Sequence, residues 1–346
     1  MMRSEFFIIF VATVAGAAGV SAAPAKPQAV EISFALAADG QPVDCGHDIH
    51  GLGANHVNAK LREASFYVSD AALIDKNGKA TPIELTRNDW QYANVALIDF
   101  DDKTGNCRGT KGANATLTGQ VPAGRYQGLS FVIGVPTLGK GDDGKEVSLN
   151  HSNFATAPAP LDIQSMSWSW QAGRKFVKLE VAPEGGIVRP PMPPRPPRAA
   201  AAGSASPPPR ADAPEKADQT PEPIQSNADG TITVATWMLH LGSTGCKGDP
   251  ITGEIVACAT PNRVPVTLAR FDPVKQRVVL DLQSLLAPFD LNRDKGGATG
   301  CMSGPTDPEC AAVFDAFGLG AKESAQPGEG AKSGNVAAKL FKVESK

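Results

Sequence analysis

Residues Leu149 to Val181 read LNHSNFATAPAPLDIQSMSWSWQAGRKFVKLEV, and the period of this stretch decides the fold class. Between Ser165 and Trp170, serines alternate with Met166, Trp168 and Trp170. A strand turns successive side chains to opposite faces, so this run predicts a strand with the Met and both Trp on one face. Lys175 to Val181 alternates again and predicts a second strand. His151 lies just ahead of both. Two of the chain's four Trp, one of its six Met and one of its five His thus fall in one short region.

Working outward, the same period recurs. Val30–Leu36, Phe66–Asp70, Ala72–Asp75, Val95–Phe100, Thr116–Val121 and Tyr126–Val135 each read as strands. They are separated by turn formers such as Asn77-Gly78 and Pro122-Ala123-Gly124. Beyond Val181 the composition turns Pro- and Ala-rich, which cannot bury enough apolar surface to offset its ordering entropy, so a disordered insertion is predicted at about 184–229. Patterning resumes at Thr231–Leu241, expected to pair with Lys175–Val181. There Met238 and His240 share one face and Trp237, Leu239 and Leu241 the other. Val264–Leu268 and Arg277–Leu282 follow as strands, with a helical turn at Leu282–Ala287 and a last strand near Ala338–Val343. The expectation is all-β: a β-sandwich of short antiparallel strands with long disulfide-bonded loops, forming one domain over residues 24–346.

Arg3 precedes the apolar run FFIIFVATVAGAAGV, and small residues lead up to Pro24, which is the pattern of a cleaved secretory signal peptide over residues 1–23. The run is too short for a confident membrane span, so no membrane insertion of the mature chain is expected. In an exported protein the six cysteines suggest disulfides before zinc. Many pairings are open; local closure favours Cys246–Cys258 and Cys301–Cys310, leaving Cys45–Cys107. The absence of CxxCH excludes a covalently attached c-type haem. A net charge of −3 with no basic run makes nucleic acid a poor partner. GxSxG, Walker A, GxGxxG and HExxH patterns are all absent, which removes support for the hydrolase, nucleotide and zincin readings.

Several ordered phrases carry a resemblance: Phe66-Tyr67-Val68-Ser69-Asp70, Leu97-Ile98-Asp99-Phe100, Ser165–Gln171 with Lys175-Phe176, and His240-Leu241-Gly242-Ser243-Thr244-Gly245-Cys246. Cys258 with Pro261-Asn262-Arg263, and Gly300–Ser303 with Asp307-Pro308 and Cys310, extend it over nearly the whole mature chain. Together they resemble the MbnP-like proteins, also called the metallo-mystery pair four-Cys family, whose four cysteines map onto Cys246, Cys258, Cys301 and Cys310. The resemblance implies an exported copper-binding protein, periplasmic or secreted, whose partner is a di-haem cytochrome c peroxidase-like protein. In that family the partner oxidises a Trp to kynurenine. This chain departs from the pattern in its Pro-rich insertion and at Arg174, where the family has Tyr.

His151 and His240 are the first-choice copper ligands, because imidazole suits copper, and Met166, Met238 and Met302 are thioether candidates for a third position. The bland alternatives are a hydrogen-bonded histidine and core-filling methionines. Trp168 and Trp170 are the candidates for oxidation, with Trp90 and Trp237 behind them; the ordinary reading is core anchors. His47, His50 and His56 form a tempting accessory metal loop, set against an exposed polar loop. The acidic runs Asp99/Asp101/Asp102 and Asp290/Asn292/Asp294 lack the EF-hand's remaining positions and are expected to be solvated turns. Two other function classes stay in view: a metal-free recognition module with Trp168 and Trp170 as a platform, and a copper-dependent redox enzyme.

Overall fold

The longest strand, Val57–Asp75, is the spine of the larger of two sheets. The computed structural model describes residues 26–109, 112–141, 143–150, 156–168, 172–191, 224–249, 252–320 and 337–346. Along one edge of the spine, residues 59–66 pair with Lys175–Pro183 and residues 68–75 pair with Tyr126–Ile133. Along the other edge, Asp48–Leu52, Val95–Asp99 and Ala80–Pro82 pair in turn. Trp237–Gly242 extends the sheet beyond Lys175–Pro183, and Val264–Leu268 extends it beyond Tyr126–Ile133, giving ten strands.

The second sheet has six strands, with Phe341–Ser345, Gln276–Asp281, Pro27–Ala38, Thr116–Pro122 and Glu84–Leu85 side by side. Its central strand buries Val30, Ile32, Phe34 and Leu36, the alternation read from the sequence. The sheets meet face to face through aromatic edges. Phe34 lies 5.8 Å from Phe66 and 5.9 Å from Phe131, and Phe341 lies 5.5 Å from Phe131. Rings of this kind remove the largest apolar areas from water, so they anchor the sandwich.

The all-β expectation therefore holds, with two refinements. The strands are not all short, and not all antiparallel: Phe34–Ala37 runs parallel to Val278–Asp281, and Met238–Leu239 parallel to Gly300–Cys301. Phe66–Asp70 and Ala72–Asp75, read as separate strands, belong to one strand of 19 residues. Its left-handed Asp70 (φ 53°) sits at the register shift opposite Ser130 and Val132 and is the irregularity that looked like a break.

The expected pairing of Lys175–Val181 with the strand at Trp237 is present, Val181 opposite Trp237 and Leu179 opposite Leu239. The flanks of the expected insertion are ordered: Ile187–Arg189 and Gln225–Ser226 both pair with Ile232–Val234. Residues 192–223 lie outside the described residues, as do the signal-peptide reading over 1–23 and the tail at 321–336. The final strand arrives at Phe341–Ser345, after a short 3-10 turn.

All three favoured disulfides form, Cys45–Cys107, Cys246–Cys258 and Cys301–Cys310. No described cysteine remains free for zinc. The third bridge ties the edge strand at Gly300 to the first residue of the Cys310–Ala316 helix, an element with no clear sequence signal.

One expectation fails at the opening stretch itself. Gln164–Met166 is a 3-10 turn, followed by a single bridge between Ser167 and Arg174. The turn lets Met166 drop into a second apolar cluster with Tyr67, Leu149, Leu161 and Phe176, on the outer face of the ten-stranded sheet. That packing overrides the local alternation. Trp170 is outside the described residues.

Candidate functional site: a buried polar cluster around His240

Register decides which charged side chains meet. Val177, Leu179 and Val181, with Trp237, Leu239 and Leu241 opposite, face the six-stranded sheet and are buried in the main core. The alternate positions must then point to the outer face. There Lys178 lies opposite His240 and Ser65, Glu180 opposite Met238 and Glu63, and Ser65 opposite Asp99. Glu63, Ser65, Asp99, Asp101, Lys178, Glu180 and His240 are all buried.

Buried charges persist only when paired and hydrogen-bonded. Glu180 Oε1 and His240 Nε2 lie 2.8 Å apart, within hydrogen-bond distance. Lys178 Nζ donates to Glu63 Oε2 and lies 3.7 Å from Glu180 Oε1. Burial alone would push the Glu180 carboxyl up, but the His240 hydrogen bond and the Lys178 charge outweigh it and hold it at about 2. Burial drives the His240 imidazole down to about 4 despite the Glu180 bond, with the Lys175 charge adding to the fall. The pair is therefore an ionised carboxylate against a neutral imidazole at neutral pH.

Beside it sits a second carboxylate group. Ser65 Oγ donates to Asp99 Oδ1 and Asp101 Oδ1, each at 3.2 Å, and the Ala64 amide donates to Asp101 Oδ1 at 3.1 Å. Burial and the neighbouring Asp101 raise Asp99 to about 9, so Asp99 keeps its proton near neutrality. The expectation of a solvated acidic turn fails for Asp99 and Asp101. It fails for Asp294 too, which is buried with Arg189 Nε 3.4 Å away and accepts from the Gly300 amide.

Trp168 lies on the same outer face. Its indole packs on Gly242, where an added Cβ would come within 2.8 Å of Trp168 Cζ2, and its Nε1 donates to the Ser243 carbonyl at 3.1 Å. Gly242 is two residues from His240 on one face, a step of about 7 Å along a strand. Lys175, opposite Gly242, sets its ammonium 5.9 Å from the Trp168 ring and donates to the Ser165 carbonyl at 2.7 Å. Burial lowers that ammonium to about 8.

Of the residues singled out from sequence, His240, half-buried Met238 and Trp168 come together on one face. Met166 goes instead to the apolar cluster under Phe176. Met302 follows the buried Cys301 and is half-buried. His151 falls outside the described residues. Trp237 is in the main core against Phe289, and Trp90 packs on the edge of the second cluster. The three loop histidines are exposed and separately engaged. His47 Nδ1 meets Asp44 at 2.8 Å, His50 Nδ1 meets Asn58 at 3.1 Å from within the Asp48–Leu52 strand, and His56 occupies a left-handed turn position. Among the described residues no three His, Cys, Asp or Glu side chains gather to hold a metal ion, so the three-histidine loop site is not formed there.

Sequence reasoning missed Glu180, Lys178 and Glu63. Charged residues alternating with Val and Leu read as the solvated face of a strand; only the non-local register brings them to His240.

A family model described as MbnP matches residues 27–191. The solved structure of MbnP from Methylosinus trichosporium is 45% identical, with a TM-score of 0.73, over 92% of this chain and 99% of that one. No curated protein matches the chain.

Proposed function

Because the chain belongs to the MbnP family, we propose that it is an exported copper-binding protein with His240 as one metal ligand. His151 is the second ligand in this reading and Met238 the candidate thioether. The protein acts in copper capture or trafficking, and Trp168 or Trp170 is oxidised to kynurenine by a di-haem cytochrome c peroxidase-like partner.

The observation that carries this reading is the Glu180–His240 pair. A copper ligand must be an unprotonated imidazole, and His240 is held neutral by burial while a carboxylate occupies its other nitrogen. The donors near it fit the metal: imidazole and thioether are the nitrogen and soft sulfur types that copper takes. Bound there, copper would supply a redox-active cation next to Trp168. Trp168's contact with Gly242 on the His240 strand supports a role beside the metal. Its burial, at 8% exposure, counts against an exposed aromatic platform at that residue.

Competition titration of Cu(I) against a chromophoric chelator tests the reading. Wild-type protein should bind one Cu(I) tightly, and His240→Ala and His151→Ala should each weaken binding at least about tenfold, about 1.4 kcal/mol. Equal affinity in wild type and His240→Ala would refute it.

A further inference from the structure

The ion pairs described above form a ladder across three adjacent strands, and it ends on His240. Glu63 on Val57–Asp75 takes the Lys178 ammonium; Lys178 and Glu180 stand two residues apart on Lys175–Pro183; Glu180 reaches His240 on Trp237–Gly242. Every side chain in the ladder is no more than 9% exposed. The backbone end of His240 is fixed as well. Its carbonyl accepts from Ser303 Oγ at 2.9 Å, and Ser303 Oγ in turn accepts from the Gly242 amide at 2.9 Å.

We propose that Glu180, anchored by Lys178 and Glu63, is a positioning residue that fixes His240 as its Nε2–H tautomer and so presents Nδ1 as the metal-binding atom. The metal half of this statement rests on the copper reading; the tautomer is a property of the metal-free chain.

A neutral imidazole has one N–H and one lone pair, and either nitrogen can carry the proton. An ionised carboxylate only accepts. At 2.8 Å the other tautomer would set two lone pairs against each other, at a loss comparable to a charge-assisted hydrogen bond. Glu180 lies 3.7 Å from the Lys178 ammonium, which Glu63 holds in place, so a carboxylate that turned away would be left buried without either of its partners. Carboxylate partners of this kind set ring orientation and raise ligand basicity, and losing one costs about 10–100-fold in metal affinity.

The test reads tautomer and affinity separately. Long-range proton–nitrogen correlation spectra of metal-free, nitrogen-15-labelled protein at pH 7 report which ring nitrogen is protonated, with His240→Gln identifying the signal. The expected result is protonated Nε2 and unprotonated Nδ1; an Nδ1–H tautomer or an imidazolium overturns the proposal. This wild-type spectrum decides even if variants fold poorly. In Glu180→Gln the amide can donate as well as accept, so a tautomer mixture and a 10–100-fold loss of Cu(I) affinity are expected. Affinity within about twofold of wild type, with the native circular dichroism spectrum kept, overturns the positioning role. If His240→Ala itself binds Cu(I) normally, the metal half falls with the copper reading, while the tautomer stays decided by the first spectrum.

Discussion

Acid should destabilise the metal-free protein through His240 before any carboxylate ladder is broken. In the folded chain, burial drives this imidazole from 6.5 down to about 4, with Glu180 opposing and Lys175 and Lys178 reinforcing the fall. The unfolded chain takes up the proton near its ordinary value, so between about pH 6.5 and pH 4 the unfolded state binds more protons. Stability therefore falls as pH falls through that window, is fully present above it, and levels off below it. A shift of about 2.5 units corresponds to roughly 3 kcal/mol, a large part of the 5–15 kcal/mol that stabilises a typical domain. Urea unfolding of copper-free wild type and His240→Gln at half-unit steps from pH 7.5 to pH 4 measures the difference directly. The wild-type curve should lose about 3 kcal/mol relative to its value at pH 7 beyond any loss in the variant. Parallel curves for the two proteins would refute the claim that His240 is buried and neutral.

Other parts of the cluster make independent predictions. Lys178→Met leaves Glu63 and Glu180 buried without their cation and should cost about 3–5 kcal/mol in urea unfolding, with part recovered by adding Glu63→Gln. Asp99 has its pKa raised to about 9, so its contribution is fully present below about pH 4 and is lost as pH rises toward 9. Asp99→Asn should accordingly stabilise the protein at pH 8 by at least about 1 kcal/mol and flatten that side of the profile. An added methyl at Gly242 would sit 2.3 Å from the Arg174 carbonyl and 2.8 Å from Trp168. Gly242→Ala should cost about 1–3 kcal/mol and red-shift tryptophan fluorescence as Trp168 is displaced. The Cys45–Cys107 bridge spans 62 residues and Cys301–Cys310 spans 9. Loop entropy then gives about 4 kcal/mol for removing the first pair and about 3 kcal/mol for the second, compared by calorimetry of the double Cys→Ala variants.

Much of the sandwich was legible because its strands carry their own period. Val30–Leu36 and Trp237–Leu241 each state which side chains go inward, and the register only confirms it. Cysteine pairing was legible for a simpler reason: two of the three bridges close short loops. At Ser165–Trp170 the period misled, since Met166 is worth more packed under Phe176 in a turn than aligned in a strand. The chemistry was legible only in part. His240 and Met238 could be placed on one face from alternation, but Glu180 and Glu63 become its neighbours through pairings 60 and 115 residues apart in sequence. Asp99 and Asp101 looked like a solvated turn for the same reason, because Ser65 and the Ala64 amide that satisfy them lie on another strand. Local pattern reports the face of a strand, whereas the partner across the sheet is set by topology.

The central claim is that this chain carries copper beside an oxidisable tryptophan. The most direct measurement is metal analysis and peptide mass spectrometry on one sample of the protein, purified from its native exported compartment with the peroxidase-like partner present. Kynurenine is tryptophan with one carbon lost and one oxygen gained, so its mass on the peptide containing Met166 to Lys175 is unmistakable. Bound copper together with a modified Trp168 or Trp170 is the predicted result. A copper-free protein with both tryptophans intact would contradict the account.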